Sequence, residues 1–437
     1  MAGAQAPSPD SPPARIPTPE RLRVIIETDA GGDPDDEQSL VRFLLYCNEW
    51  DVEGIIATRP DARDGENLNP VRTGLGIVRA MLDAYGQCHP NLIRHDPRYP
   101  SNDDLWKRTV PGYGGGGEAV KLILDAVDSP DRRPVWFCNW GTDEGSSGSS
   151  LKVALDRVLR ERGQAGYREF KDRLRLSSDD QFGDHTFTLS PPFKLWVDTF
   201  RPEVDRKRWY HRFSALTAKA GGFDVERDVR TGHGPLGALY PLNTTHPQKE
   251  GDTMSFLYLV PTGMNDVNEP TWGSWAGRYA PREGGPPGYY WATARDAWNG
   301  TTSRENTLAR WAVHLQNDFR ARMDWCVKDY AGANHPPVPE LAGPVRRVAK
   351  SGEVVELDAR ASHDPDGNRL SYEWVYYPEP GTYRGEPIHI EGAHTPSARF
   401  IAPRVERSET IHVVVIVSDD GSPPLSRYRR VVVTVQP

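Results

Sequence analysis

The segment LRVIIETDAGGDPDDEQSLVRFLLYCNEWDVEGIIAT, residues 22–58, decides the fold of this chain. It opens with a short β-branched run that predicts a strand, and residues 38–48 then carry apolar side chains at helical spacing. Residues 51–58 predict a second strand. A strand, a helix and a strand in so short a segment indicate a right-handed βαβ crossover in a parallel sheet.

The same alternation continues along the chain, with helices predicted over residues 70–84, 119–127 and 151–162 and a buried strand over 134–139. We therefore expect an α/β fold with a doubly wound, mostly parallel sheet over residues 21–335. Prolines cluster at Pro336 and Pro337, and short alternating strands follow. These strands, at 353–357, 370–377, 388–391, 398–401, 411–417 and 428–435, predict a small all-β immunoglobulin-like or cadherin-like sandwich over residues 336–437.

Composition excludes several classes of partner. The net charge is −8 with no long basic block, which disfavours a nucleic-acid or anionic-membrane partner. No apolar run reaches the roughly 18 residues that a membrane span needs. Residues 1–20 contain six prolines, so we expect a disordered leader or the remnant of a processed segment. Nothing in the sequence indicates the oligomeric state.

The most informative feature is an acidic loop, residues 27–37, which holds six carboxylates between a predicted strand and a predicted helix. In a doubly wound sheet this loop lies at the carboxyl end of a strand, where ligands bind. Two like charges about 4 Å apart repel by roughly 4 kcal/mol at an effective dielectric near 20, so the cluster needs protonation or a divalent cation. An all-oxygen donor set favours Ca²⁺, with Mg²⁺ second, over zinc. The alternative is a solvated turn whose acids stabilise the following helix.

The strand and acidic loop resemble the motif Asp-Thr-Asp-Pro-Gly-x-Asp-Asp of nucleoside hydrolases. The chain resembles more closely their cellulose-binding, nucleoside-hydrolase-like relatives, and this resemblance extends over most of its length. The segments that carry it are residues 31–36, 140–141, 234–237, 250–253, 272–279 and 316–319, together with the C-terminal sandwich.

The resemblance implies roles for individual residues. Asp29, Asp36 and Asp252 would be calcium ligands, a backbone carbonyl at 141–143 would complete the shell, and Asp35 would be the base that activates the attacking water. This chain has Glu27 in place of the first Asp of the motif and a longer spacing before the Asp pair. Base and ligand roles can therefore exchange among Asp33, Asp35 and Asp36, and Asp33 is the second catalytic candidate.

A set of polar and aromatic residues is expected to contact the substrate. Between residues 270 and 300 many aromatic residues lie among glycines and prolines, and flat rings of this kind stack on sugar faces or pack a loop onto the sheet. A sugar leaving group would also need an acid, for which the candidates are Glu250, His246 and Asp143. The expected substrate-binding set is Asn139, Trp140, Glu250, Asn265, Trp272, Trp275 and Arg278.

These observations lead to two functional hypotheses. The first is a metal-dependent glycoside hydrolase that cleaves a furanosyl or other carbohydrate bond with a carboxylate-activated water. The second is a non-catalytic polysaccharide-binding protein, for cellulose, that retains the metal cage. The sandwich and the family resemblance favour an extracytoplasmic location, periplasmic or secreted, although a secretion signal is absent from this sequence.

Overall fold

The computed structural model describes residues 21–113, 116–140, 149–178, 194–196, 212–242, 247–281 and 288–437. Several sequence predictions lie outside these ranges: the leader of residues 1–20, the carbonyl ligand at 141–143, and the candidate acids Asp143 and His246. Within the described ranges, none of the helices combines the length and the apolar character that crossing a bilayer requires.

Strands and helices alternate over the N-terminal part, as the sequence predicts. In chain order they are Leu22–Thr28 (β1), Asp35–Tyr46 (α1), Trp50–Ala57 (β2), Gly74–His95 (α2), Asn102–Lys107 (α3), Thr109–Pro111 (β3), Gly117–Asp128 (α4), Val135–Asn139 (β4), Ser150–Asp172 (α5), Leu174–Ser178 (β5), Lys194–Trp196 (β6), Arg212–Thr217 (α6), Gly234–Ala238 (α7), Thr253–Leu257 (α8), Ala280–Pro281 (β7), Tyr289–Trp291 (β8), Asp296–Trp298 (β9), Thr301–Ser303 (β10), Asn306–Ala309 (α9) and Ala312–Trp325 (α10).

The main sheet has the strand order β3-β2-β1-β4-β5-β6-β8-β7. Its pairs are parallel except for the β7–β8 pair, which is antiparallel. The order reverses between β1 and β4, because the chain moves outward through β2 and β3 and then returns to the other side of β1. Ligands of open α/β sheets bind outside the carboxyl ends of the strands at such a reversal. The acidic loop after β1 lies there.

The two faces of this sheet are covered by different helices. Because successive strand residues point to opposite faces, Val24 and Ile26 join the core beneath α1, α2 and α10, whereas Ile25 joins the core beneath α4 and α5. Helix α1 is buried on all sides and lies directly behind the acidic loop. The predicted doubly wound α/β fold is therefore confirmed.

The C-terminal part is all β, also as predicted. Its strands are Arg346–Lys350 (β11), Val354–Asp358 (β12), Ser371–Tyr376 (β13), Ser397–Ile401 (β14), Glu409–Ser418 (β15) and Ser426–Gln436 (β16). A four-stranded sheet, β11-β16-β15-β13, lies with the β12-β14 pair around a separate core that contains Trp374. We call this part the β unit.

Two element predictions are wrong in detail. Residues 388–391 are not a strand, because only Glu391 forms an isolated bridge, with Arg399. The helix predicted over 70–84 begins at Gly74, after the Thr73 hydroxyl accepts a hydrogen bond from the Gly76 amide, and continues to His95. It continues past Pro90, which the sequence pattern did not indicate.

The β unit shares a core with the α/β part. Tyr377 and Tyr428 of the β unit belong to the same cluster of buried residues as Trp275 and Trp311. The β unit packs at the amino ends of β1 and β2, opposite the acidic loop. The domain boundary near residue 336 remains a prediction, since the core of the α/β part includes residues of the β unit although the β unit also has a core of its own.

Candidate functional site

The acidic loop turns sharply as soon as β1 ends. The Gly32 amide donates to the Asp29 carbonyl at 2.9 Å, which closes the turn. Gly31 has a φ of 96°, in the left-handed region that favours glycine, and a Cβ there would lie 3.3 Å from the Ala62 Cα. The turn returns the chain to the sheet edge, so that α1 begins with Asp35.

Three carboxylates meet behind this turn. Asp35 and Asp36 occupy the first turn of α1, and Asp252 immediately precedes α8; one oxygen of each lies within 4.8 Å of the others. Asp35 and Asp36 are each only 3% exposed. The Thr28 hydroxyl donates to Asp36 Oδ1 at 2.5 Å and fixes that carboxylate. We call Asp35, Asp36 and Asp252 the acidic cluster.

The electrostatics of the acidic cluster show why it needs a positive partner. Burial raises the pKa of Asp36 well above its usual range, and repulsion from Asp252, Asp29 and Asp35 raises it further. Burial also raises the pKa of Asp35 to about 7, with Lys249 acting in the opposite direction. Full ionisation of the cluster is costly by itself, and a hard cation bound by carboxylate oxygens would relieve that cost. The donor set fits Ca²⁺ or Mg²⁺.

Sequence reasoning missed Lys249, which partly neutralises the acidic loop. Its ammonium group forms an ion pair with Asp33 and lies 3.6 Å from Asp35 Oδ2. Burial alone would lower the pKa of Lys249, but attraction to Asp35 and Asp33 outweighs it and raises the pKa. The available signal was its position three residues before Asp252, immediately before the segment 250–253 already associated with the site.

Some of the predicted metal ligands and bases lie together in the structure, and others lie apart from them. Asp36 and Asp252 come together as expected, and Asp35, the predicted base, joins them. Asp29 interacts with Asp36 and also lies 3.6 Å from Arg59 Nη1. Asp33 lies at the rim, paired with Lys249. The roles of base and ligand remain predictions for these residues.

Glu27, at the position of the first Asp of the motif, is completely buried. Its carboxylate accepts hydrogen bonds from Asn139 Nδ2 at 2.8 Å, Ser149 Oγ at 2.6 Å and the Ser150 amide at 2.8 Å. Burial raises its pKa, and these hydrogen bonds act in the opposite direction. Glu27 therefore joins β1 to the end of β4 and the start of α5.

Glu250 requires a correction, because the sequence placed it against the substrate or made it the acid. It is fully buried and forms a bidentate ion pair with Arg42, at 2.5 and 3.1 Å. The side chains of Tyr240, Gln248 and Thr253 also donate to it. A carboxylate enclosed by five hydrogen bonds supports the segment that carries Asp252 and cannot contact a substrate.

Asn139 and Trp140 lie close to the acidic loop but are buried. Asn139 Nδ2 donates to Glu27, and the Trp140 amide donates to the Glu27 carbonyl at 2.8 Å. The Trp140 ring packs against Phe43 and Phe256, with centroids 5.9 and 5.7 Å away. In this structure both residues form the wall behind the acidic cluster.

The remaining predicted substrate residues lie at the opposite edge of the sheet. Asn265 and Trp272 line a cavity at the start of β1 and β2. Trp275 is fully buried and its Nε1 donates to the Tyr428 hydroxyl, so it has no free face for a sugar. Arg278 is paired with Asp296 at 2.8 Å. The structure therefore does not bring these residues together with the acidic loop.

Comparison with known proteins identifies the family of this chain. A family model described as "Cellulose-binding Sde182, nucleoside hydrolase-like domain" matches residues 23–279. The chain belongs to this family. A second model, described as "Cellulose-binding protein Sde0182, C-terminal domain", matches residues 354–435 in the β unit. Together the two models cover the acidic loop, the main sheet from β1 to β6 and most of the β unit.

A solved structure shows the same architecture over nearly the whole chain. It is a nucleoside hydrolase-related hypothetical protein from Saccharophagus degradans, associated with carbohydrate metabolism, with 30% identity and a TM-score of 0.72. The alignment covers 95% of this chain and 100% of that chain. The search of curated proteins found no match.

Two further structures match only a small part of the chain. The PKD domain from the KIAA 1837 protein is 17% identical over 22% of this chain and 86% of its own, with a TM-score of 0.17. Mouse clustered PcdhgC3 EC1-3 is 19% identical over 25% of this chain and 35% of its own, with a TM-score of 0.15. With such low scores, neither structure carries an argument.

Proposed function

We propose that the protein is a divalent-metal-dependent hydrolase of glycosidic bonds in carbohydrates. The observation that carries this proposal is the acidic cluster, three carboxylates placed together at the point where the strand order reverses. The family's nucleoside hydrolase-like fold and the carbohydrate association of the Saccharophagus relative support it. Calcium suits the all-oxygen donor set better than zinc does.

The chain's own residues can supply the proton transfer. Asp36 and Asp252 would hold the ion, and Asp35 would take a proton from the water that attacks the anomeric carbon. The bond from that carbon to the glycosidic oxygen breaks, and the leaving oxygen takes up a proton from solvent. Asp35 is placed for this role, because one of its oxygens lies within 4.8 Å of an oxygen of each of the two proposed ligands. A bound calcium ion would position the sugar hydroxyls and make the water more acidic.

The test uses the full chain and two Asp to Asn substitutions. We expect Asp35→Asn to lower turnover of 4-nitrophenyl furanosides and pyranosides by about a hundredfold or more, because the base is lost. The control is Asp64→Asn, an equivalent change at an exposed carboxylate that pairs with Arg72. Treatment with EGTA should abolish turnover and added Ca²⁺ should restore it. Full activity in Asp35→Asn and after EGTA would disprove the metal-dependent mechanism, and no turnover of any glycoside by the parent protein would disprove the hydrolase.

One observation favours the second function, non-catalytic binding of cellulose. Lys249 already contacts two acids of the loop, which neutralises part of the charge that an ion would neutralise. Sedimentation of the protein with insoluble cellulose, together with an assay for released sugar, distinguishes the two functions. Sedimentation without sugar release, and unchanged by EGTA, would support a binding protein.

A further inference from the structure

A cavity of about 660 Å³ lies between the α/β part and the β unit. Leu22 and Trp50, at the starts of β1 and β2, form one wall, and Val345 and Val432 of the β unit form another. Its volume is typical of sites for small organic molecules. The cavity lies at the amino edge of the sheet, one full strand length from the acidic cluster.

The lining of this cavity carries more positive than negative side chains. Five arginines and two acids contribute to it: Arg21, Arg98, Arg346, Arg429, Arg430, Glu49 and Asp266. Three of the arginines have acidic partners. Arg21 pairs with Asp51 at 3.4 Å, Arg98 pairs with Asp96, and Arg346 lies 3.5 Å from Asp266. The two remaining arginines of the lining are Arg429 and Arg430.

Arg430 is a buried cation, only 6% exposed. Its guanidinium donates to the carbonyls of Met264 and Trp272, each at 2.8 Å, and lies 3.2 Å from His412 Nδ1. All of these partners are uncharged acceptors. Burial lowers the pKa of Arg430 to about 10, although attraction to Tyr377 and Asp296 acts in the opposite direction.

Arg429, the next residue on β16, is only partly buried, in contrast to Arg430. It donates to its neighbour's carbonyl, Tyr428, at 3.1 Å, and burial lowers its pKa. Among the residues that the structure describes, no carboxylate lies within ion-pair distance of Arg429 or Arg430. Buried charge without a counterion is costly, and an anion in the adjoining cavity would remove that cost.

We propose that this cavity binds a small organic carboxylate, with Arg429 and Arg430 as its charge partners. The planar guanidinium fork matches the two oxygens of a carboxylate, and the apolar side chains of Leu22, Met264 and Val432 suit a ring-shaped body. A strongly hydrated inorganic anion would gain nothing from those apolar walls. The inference is independent of the proposed function, because it uses a different edge of the sheet.

The experiment measures binding of D-glucuronate and benzoate to the full chain by titration calorimetry. Glucose and benzyl alcohol are the neutral counterparts, and inorganic phosphate tests for simple anion binding. We expect at least one carboxylate to bind and its neutral counterpart not to bind. Arg429→Gln should weaken binding about tenfold or more, because a charge-assisted hydrogen bond is lost. Arg407→Gln, at an arginine that is 87% exposed in the same unit, should leave binding unchanged.

A steric variant tests the location without altering charge. Val345 lines the cavity and is 47% exposed, so Val345→Trp should narrow the mouth and weaken carboxylate binding while the unfolding midpoint stays the same. The proposal is overturned if neither carboxylate binds, if phosphate binds equally well, or if both Arg429→Gln and Val345→Trp bind like the parent protein.

Discussion

At the scale of single residues, the carboxyl group of Asp35 is subject to opposing forces. Burial and repulsion by Asp33 and Asp29 favour its protonated form, and the ammonium group of Lys249 favours its ionised form. The acids could be predicted, because they are concentrated in one loop of the sequence. Lys249 could not, since only the fold brings the segment before α8 against the start of α1.

This balance gives a test on Lys249. A cation held by the acidic cluster would be repelled by the ammonium group of Lys249, which lies 3.6 Å from Asp35 Oδ2. Like charges about 4 Å apart repel by several kcal/mol in a partly buried site. We therefore expect Lys249→Met to tighten Ca²⁺ binding by about tenfold or more, measured by titration calorimetry.

The matched control for this test is Lys152→Met. Lys152 is exposed and pairs with Asp156 on α5, so its loss should leave Ca²⁺ affinity unchanged. Weaker Ca²⁺ binding in Lys249→Met would contradict the expectation and would show that the ammonium group mainly holds the loop in shape.

At the scale of elements, the spacing of apolar residues predicts only part of the structure of α1. The spacing of apolar residues predicted the helix correctly, yet the polar side of α1 is buried as well. Arg42 lies there, paired with Glu250 and hydrogen bonded to Gln316 at 2.9 Å. Sequence reasoning assigned Glu250 to the substrate because the pattern gave no sign of this distant partner.

We expect Arg42→Met to lower the free energy of unfolding by about 3 to 5 kcal/mol, because it leaves the Glu250 carboxylate buried without its partner. Urea unfolding followed by tryptophan fluorescence measures the change. The double variant Arg42→Met with Glu250→Gln should be more stable than the single variant, since no charge is left alone.

A surface pair provides the comparison for Arg42. Arg63 pairs with Glu66 where both side chains are about half exposed, and we expect Arg63→Met to cost about 1 kcal/mol or less. Equal losses in Arg42→Met and Arg63→Met would show that the buried pair contributes no more than an exposed one.

At the scale of the whole molecule, the two parts predicted from sequence are present, but their junction was not foreseen. Periodicity shows which residues are apolar and not which surface each one meets. Trp275 was therefore interpreted as a sugar platform, whereas it packs in the core shared with Tyr428 of the β unit. The sequence predicted the α/β class, the sandwich and the acidic cluster. It did not predict the contacts between distant segments.

This junction should make the protein sensitive to acid. His314 of α10 is hydrogen bonded to the Tyr428 hydroxyl at 2.5 Å, and burial lowers its pKa to about 4. The unfolded chain, with an ordinary histidine pKa near 6.5, takes up the proton first as the pH falls. Between pH 6.5 and pH 4.5 we expect His314 to remove about 2 kcal/mol of stability.

The variant His314→Gln, which keeps a hydrogen-bonding group near Tyr428, should lose less stability than the parent over this pH range in urea unfolding. His389→Gln, at an exposed histidine of the β unit, is the control and should follow the parent. Identical pH dependence in His314→Gln and in the parent would contradict this expectation.

The core that the α/β part shares with the β unit limits how such a chain can evolve. Tyr377 and Tyr428 complete the interior around Trp311, so deleting or exchanging the C-terminal part would leave a hole lined by aromatic rings. Gene fusion or recombination at this boundary is therefore penalised unless the matching interior residues are inherited together. We therefore expect the α/β part and the β unit of this chain to evolve together.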